Sequence, residues 1–235
     1  MKPTPSVDMP RFAGVPTFLR LPAVADADRV PDVDVLLCGV PFDGGSSYRP
    51  GARFGPRAVR DASALARGFS AALGIDVFEE LRVADGGDVP LSPHDIGAAI
   101  AAVADRAEAI ARSGVIGGYV GGDQTVTLGA LRGIHRAKLK SVGLVHIDTH
   151  SNTAGPAWGQ DIHHGSVVRH AVAEAADAGV GRDHGVRQGE KLAQVGLVHA
   201  VEHALGAAAG LDVEDRLDLV VERVGAAEQL RGLGN

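Results

Sequence analysis

Ser141-Val142-Gly143-Leu144-Val145-His146-Ile147-Asp148-Thr149-His150-Ser151-Asn152 is the stretch on which the choice of fold depends. Its apolar, β-branched run reads as a fully buried strand, and it empties into polar residues where a strand would end. In an open parallel sheet, ligands bind beyond the carboxyl ends of the strands. Asp148 and His150 stand two apart, so in extended backbone they project on one side. Together they offer a carboxylate and an imidazole, donors suited to Mn or Zn. The same residues also read as a polar strand end that merely caps the next segment.

Upstream, the pattern of strand, Gly-rich turn and helix repeats. Residues 33–40 read as a first strand, followed by the long loop Pro41 to Pro56, rich in Gly and Pro. Long shaped loops are usually functional. Pro56 fits the first turn of a helix to about Leu65. Residues 81–85 read as a short strand before the turn at 86–88, and Ser92-Pro93 as the N-cap and first position of a helix to Arg112. A third strand over 115–120 ends in Gly121-Gly122-Asp123-Gln124-Thr125, and a helix follows over about 126–137. Strands alternating with helices predict a parallel sheet with helical crossovers.

Residues 1 to about 30 read as a Pro-rich arm, with Phe12, Phe18 and Leu19 placed to pack on the body, and residues 31–235 as one domain. Downstream, 153–165 is a loop carrying Trp158 and His163-His164, and 166–178 reads as a helix. Beyond 178 the periodicity weakens.

The 235 residues carry a net charge of −6 and one cysteine. A mildly acidic balance gives no reason to expect nucleic acid or an anionic membrane as partner. Cys38 alone builds no disulfide framework, and no apolar run is long enough to span a bilayer, so a cytoplasmic protein is expected. The turn at 121–125 lacks the Gly-Lys-Ser/Thr ending of a phosphate loop and the G-x-G-x-x-G spacing of a dinucleotide site. Gly121 and Gly122 instead suit a sharp turn below a site, with Asp123 as the buried acceptor that fixes it. A histidine such as His163 or His164, close to a metal-bound water, is able to shuttle protons at neutral pH. No G-x-S-x-G elbow or H-E-x-x-H helix is present.

These pieces stand in the order of a known family. Pro10 to Phe18 is similar to the N-terminal arm of the ureohydrolases. Val40-Pro41-Phe42-Asp43-Gly44-Gly45-Ser46-Ser47-Tyr48-Arg49-Pro50-Gly51-Ala52-Arg53-Phe54-Gly55-Pro56 resembles their long first loop nearly residue for residue. Asp85 to Val89 looks like their second-strand turn, and Gly121 to Thr125 sits at their G-G-D-H-S/T motif. Asp148 to Asn152 sits at D-A-H-x-D, and His164-Gly165-Ser166 at H-G-T. The resemblance is to the agmatinase-like branch, which includes guanidinobutyrases, and it covers about residues 10–178.

The resemblance implies a three-layer α/β/α domain with a mostly parallel sheet, arginase-like and incomplete at its C-terminal edge. It implies Mn-dependent hydrolysis of a small guanidino compound, agmatine or similar, to urea and an amine. It also implies a homo-oligomer. A pair of manganese ions with a bridging hydroxide is the family's reagent, since paired metals lower the pKa of the water they share. Asp148 and His150 match metal-ligand positions, and His164 matches the catalytic histidine. Gln124 replaces a ligand histidine and Asn152 a ligand aspartate, while Gly121, Gly122 and Asp123 support the site. The family's later S-x-D-x-D-x-x-D-P strand end and its G-T-G-T-P-E loop are absent. Asp212-Val213-Glu214 is the nearest substitute, and 210–224 resembles the family's late strand. One matched carboxylate and one imidazole poorly offset the cost of desolvating two dications. Activity is therefore expected to be weak or absent. The alternative is a non-catalytic relative, either a binding or oligomer-scaffolding protein or a degenerate gene product.

Overall fold

In the computed structural model, residues 2–24, 32–138 and 142–177 are described. The expected late strand over 210–224 and the Asp212-Val213-Glu214 substitute lie outside these residues.

The elements, in chain order, are β1 (Val35–Val40), α1 (Gly55–Ser63), β2 (Phe69–Ser70), β3 (Ile75–Asp76), α2 (Val77–Glu80), β4 (Val83–Asp88), α3 (Ile96–Arg112), β5 (Ile116–Gly121), α4 (Thr125–Lys138) and α5 (Val167–Asp177). Strands β4, β1 and β5 form a parallel sheet in that order, with β1 central. β2 and β3 form a small antiparallel hairpin absent from the sequence expectation. Two-residue strands carry no periodicity to read.

Alternate residues of β1 point to opposite faces. On one face Leu36, Cys38 and Val40 join Ala84 and Tyr119 in a core with Ala99, Val103, Ala107 and Ile110 of α3 and Val126 and Ala130 of α4. Burial raises the Cys38 thiol and the Tyr119 phenol above their ordinary pKa values, so both remain neutral. On the other face, a methyl group on Gly39 would lie 2.9 Å from the Pro56 ring at the start of α1. The result is the three-layer α/β/α arrangement, with the sheet between helices.

Local chemistry explains the helix starts. Proline stands in the first turn of α1, where its missing N–H costs nothing. The expected cap of α3 at Ser92 is corrected: Asp95 caps it, its carboxylate accepting the Ala98 N–H at 2.9 Å. Ser92 instead accepts the His94 N–H within the preceding turn. None of the described helices is long and apolar enough to cross a membrane.

The N-terminal segment is held at β4. Ala23 pairs in parallel with Asp85, and the Val24 N–H donates to the Asp85 carbonyl at 2.7 Å. The Phe18 N–H donates to the Asp85 carboxylate at 2.8 Å, and the Arg60 guanidinium lies 4.1 Å from the Phe18 ring centre. Arg60 also bridges Asp85 at 2.8 Å and Asp88 at 2.6 Å. Burial opposes the Arg60 charge, but the two carboxylates more than offset it and raise its pKa. Phe18 is buried as expected, whereas Phe12 is 94% exposed. Phe18 is held at this edge by the Asp85 carboxylate and the Arg60 guanidinium.

The largest departure from expectation is the run 142–147. It forms no strand, and Leu144, Val145 and Ile147 are exposed. A strand exists only through ladder bonds to a neighbour, and no described strand pairs with this run.

Candidate functional site

The site region is assembled around the loop after β1. Asp43, 4% exposed, organises that loop by accepting the Gly51 N–H at 2.7 Å and the Arg53 N–H at 3.2 Å, and by pairing with the Arg53 guanidinium. Burial raises the Asp43 carboxyl, but Arg53 and the two N–H donors outweigh it and hold it below its ordinary value.

The turn after β5 docks beneath this loop. Gly122 has φ +72°, and a Cβ there would collide with the Phe42 carbonyl oxygen, so only glycine fits. Asp123 is fully buried. It accepts the Gly45 N–H at 2.7 Å, the Thr125 N–H at 2.9 Å and the Thr125 hydroxyl. Burial dominates these donors and raises its pKa. Gln124 is 3% exposed, and its Oε1 has no hydrogen-bond partner among the described residues.

The same loop reaches the His163-His164 turn. The His164 N–H donates to the Gly45 carbonyl at 3.1 Å, and the Ser47 hydroxyl lies 2.9 Å from His164 Nε2. The two histidines are not equivalent. His163 Nδ1 accepts the Gly165 N–H at 3.3 Å, its Nε2 lies 3.0 Å from the Gly155 carbonyl, and its backbone shares a capping box with Ser166. His163 therefore holds its turn together, whereas the His164 ring has Ser47 as its hydrogen-bond partner among the described residues.

The Asp148 region is built differently. Asp148 accepts the His150 N–H at 3.0 Å, a local turn bond between residues two apart. Its other oxygen accepts the Asn152 amide at 2.8 Å. Burial raises the Asp148 carboxyl, but these two donors, with His146 and His150 nearby, bring it below its ordinary value. Asn152 has φ +52°, a conformation asparagine tolerates better than most residues, and its amide also lies 3.3 Å from His146 Nε2. The His150 side chain is 75% exposed. The structure thus brings Asp148, His150 and Asn152 together off the end of any described strand, and adds His146. Sequence alone places His146 in a strand interior and gives no sign of this contact. No hydrogen bond joins Gln124 to this group among the described residues.

The described residues alone do not make up a ligand set for a metal pair. Among the described residues, no three His, Cys, Asp or Glu side chains converge as a ligand group. One N–H donor already bonds each Asp148 oxygen, leaving this carboxylate with fewer free lone pairs for a cation. The unpartnered Gln124 oxygen is a neutral donor, and a single one.

A family model described as the arginase family matches residues 33–214. The chain belongs to the arginase family. Guanidinobutyrase from Pseudomonas aeruginosa is 39% identical over 167 residues, 71% of this chain and 52% of that protein. Proclavaminate amidinohydrolase from Streptomyces clavuligerus is 38% identical over 166 residues, 70% of this chain and 51% of that protein. The solved structure of the latter superposes with a TM-score of 0.64 at 36% identity, covering 70% of this chain and 54% of that one. A single-residue variant of Trypanosoma cruzi formiminoglutamase, solved with Mn²⁺, gives a TM-score of 0.58 at 25% identity and covers 68% of this chain and 53% of that one. This arginase-family chain therefore spans about half the length of these relatives.

Proposed function

We propose that this chain carries the framework of a guanidino-compound hydrolase, with a metal locus too poor to sustain efficient turnover. The reaction is cleavage of a guanidino group to urea and an amine, on agmatine or a related compound such as 4-guanidinobutyrate. Manganese is the metal, as in the formiminoglutamase variant of the same fold. The assembly is a homo-oligomer in the cytoplasm, with residues 1–30 as an arm and 31–235 as one domain. His164 is the proton-handling group, Asp148 and His150 the remaining metal donors, and Gln124 and Asn152 the altered ligand positions. Gly121, Gly122 and Asp123 hold the turn that supports them.

The observation that carries the reading is the joint of the 41–56 loop with Asp123 and His164, set beside the Asn152 amide bonded to Asp148. The first is a built site frame; in the second a neutral amide donates to Asp148 where the resemblance implies a further carboxylate. Calorimetry with Mn²⁺ is expected to show weak binding at no more than one site per chain, with urea release from agmatine and 4-guanidinobutyrate near background. Gln124→His combined with Asn152→Asp adds an imidazole and a carboxylate and should clearly raise Mn²⁺ affinity. Two tight sites in the parent chain would overturn the reading.

A further inference from the structure

Among the described residues, His164 uses one ring nitrogen, and its partner is Ser47 at 2.9 Å. The partner belongs to the same loop that holds the His164 main chain through the Gly45 carbonyl. Gly45 in turn is held from below by the buried Asp123 carboxylate, and its close packing leaves no latitude. A methyl group there would lie 2.5 Å from Thr125 Cγ2 and 3.3 Å from the His164 backbone nitrogen. From Gly45 to Ser47 the loop thus passes from a buried anchor to the ring of an imidazole.

We propose that Ser47 is a positioning residue that holds the His164 ring in one orientation. A hydroxyl is both donor and acceptor and rotates about one bond. It is able to donate to a bare Nε2 or accept from a protonated one, so the contact survives when the imidazole gains or loses its proton. A general acid–base must stay oriented through that change. His163 cannot take over the role, because its own turn engages both of its ring nitrogens. The proposal rests on the reading of His164 as the proton-handling group, but the positioning itself is measurable without turnover.

The test is a long-range proton–nitrogen spectrum of the histidine side chains in the full ¹⁵N-labelled chain, with His164 assigned through His164→Gln. Ser47→Ala should move the His164 Nε2 resonance and lower the population of the tethered ring orientation by about fivefold, the ratio an ordinary net hydrogen bond supports. The other histidines should stay where they are, and Ser47→Thr should restore the parent spectrum. An unchanged His164 in Ser47→Ala would overturn the proposal. So would shifts spread across the other histidines, which would mark a structural role, or a Ser47→Thr spectrum matching the alanine variant. Urea release is measured alongside. Release far above background in the parent chain would remove the functional reading, and the His164 resonance change in Ser47→Ala would still leave the positioning in place.

Discussion

The turn at 121–125 and the stretch at 146–152 follow similar apolar runs, and each presents a carboxylate just beyond. Their surroundings differ completely. Ile116–Gly121 has β1 beside it, and its turn is sealed by Phe42 and Gly45, so Asp123 is buried under donors from two segments. Residues 142–147 have no described strand beside them, and Asp148 satisfies itself with donors two and four residues away. A strand-like sequence becomes a strand only if a neighbour supplies the ladder. The carboxylate beyond it is fixed from outside only when that neighbour brings further chain with it.

The sharpest way to break this comparison is to remove each carboxylate. Asp123→Ala leaves the Gly45 N–H, the Thr125 N–H and the Thr125 hydroxyl without their acceptor in a dry site. It should destabilise the chain by about 2–4 kcal/mol in urea unfolding, net of the burial cost the charge itself imposes. Asp148→Ala breaks local bonds that water can replace, and should cost less than about 1 kcal/mol. Equal losses would mean that the second region is anchored as firmly as the first.

A smaller effect is expected from acid. The folded-state pKa of Asp43 is depressed, so its contribution is present above the unfolded value of about 4 and is lost as pH falls through the lower folded value. Asp43→Asn should therefore flatten the stability profile below about pH 4, read by chemical unfolding at stepped pH. Asp123, shifted the other way by burial, contributes the opposite slope. A profile that steepens in Asp43→Asn would contradict the assignment.

The smallest change should come from the exposed run. Ile147, 72% exposed, should tolerate serine within about 0.5 kcal/mol by the same unfolding measurement. A larger loss would show that this run packs against something in solution.

The sheet strands are legible because apolar runs end in glycine-rich turns, and β1, β4 and β5 all stand close to their expected places. The run 142–147 carries the same signal and misleads, since sequence shows a strand's own residues and not its neighbours. Arg60 is invisible for a related reason. A lone arginine on a helix reads as a solvated face, and only the tertiary structure sets Asp85, Asp88 and Phe18 around it. Likewise Ser92-Pro93 reads as the cap of α3, but Asp95 takes that place because it sits directly before the first turn whose N–H groups need an acceptor. At the site, the Gly121-Gly122-Asp123 turn is readable from glycine and charge alone. The distinction between His163 and His164 depends on which ring a neighbouring loop reaches.

Asp85 gathers three parts of the chain. Its main chain holds residues 22–24, and its carboxylate takes the Phe18 N–H and the Arg60 guanidinium. The outer border of β4 is thereby occupied, while the outer border of β5 has no described strand against it. Isotope exchange should register that asymmetry as a gradient. The Val24 and Asp85 amides lose protection together when the arm lifts, well before the central strand opens, so they serve as a local clock for the detachment of one segment from an otherwise intact fold.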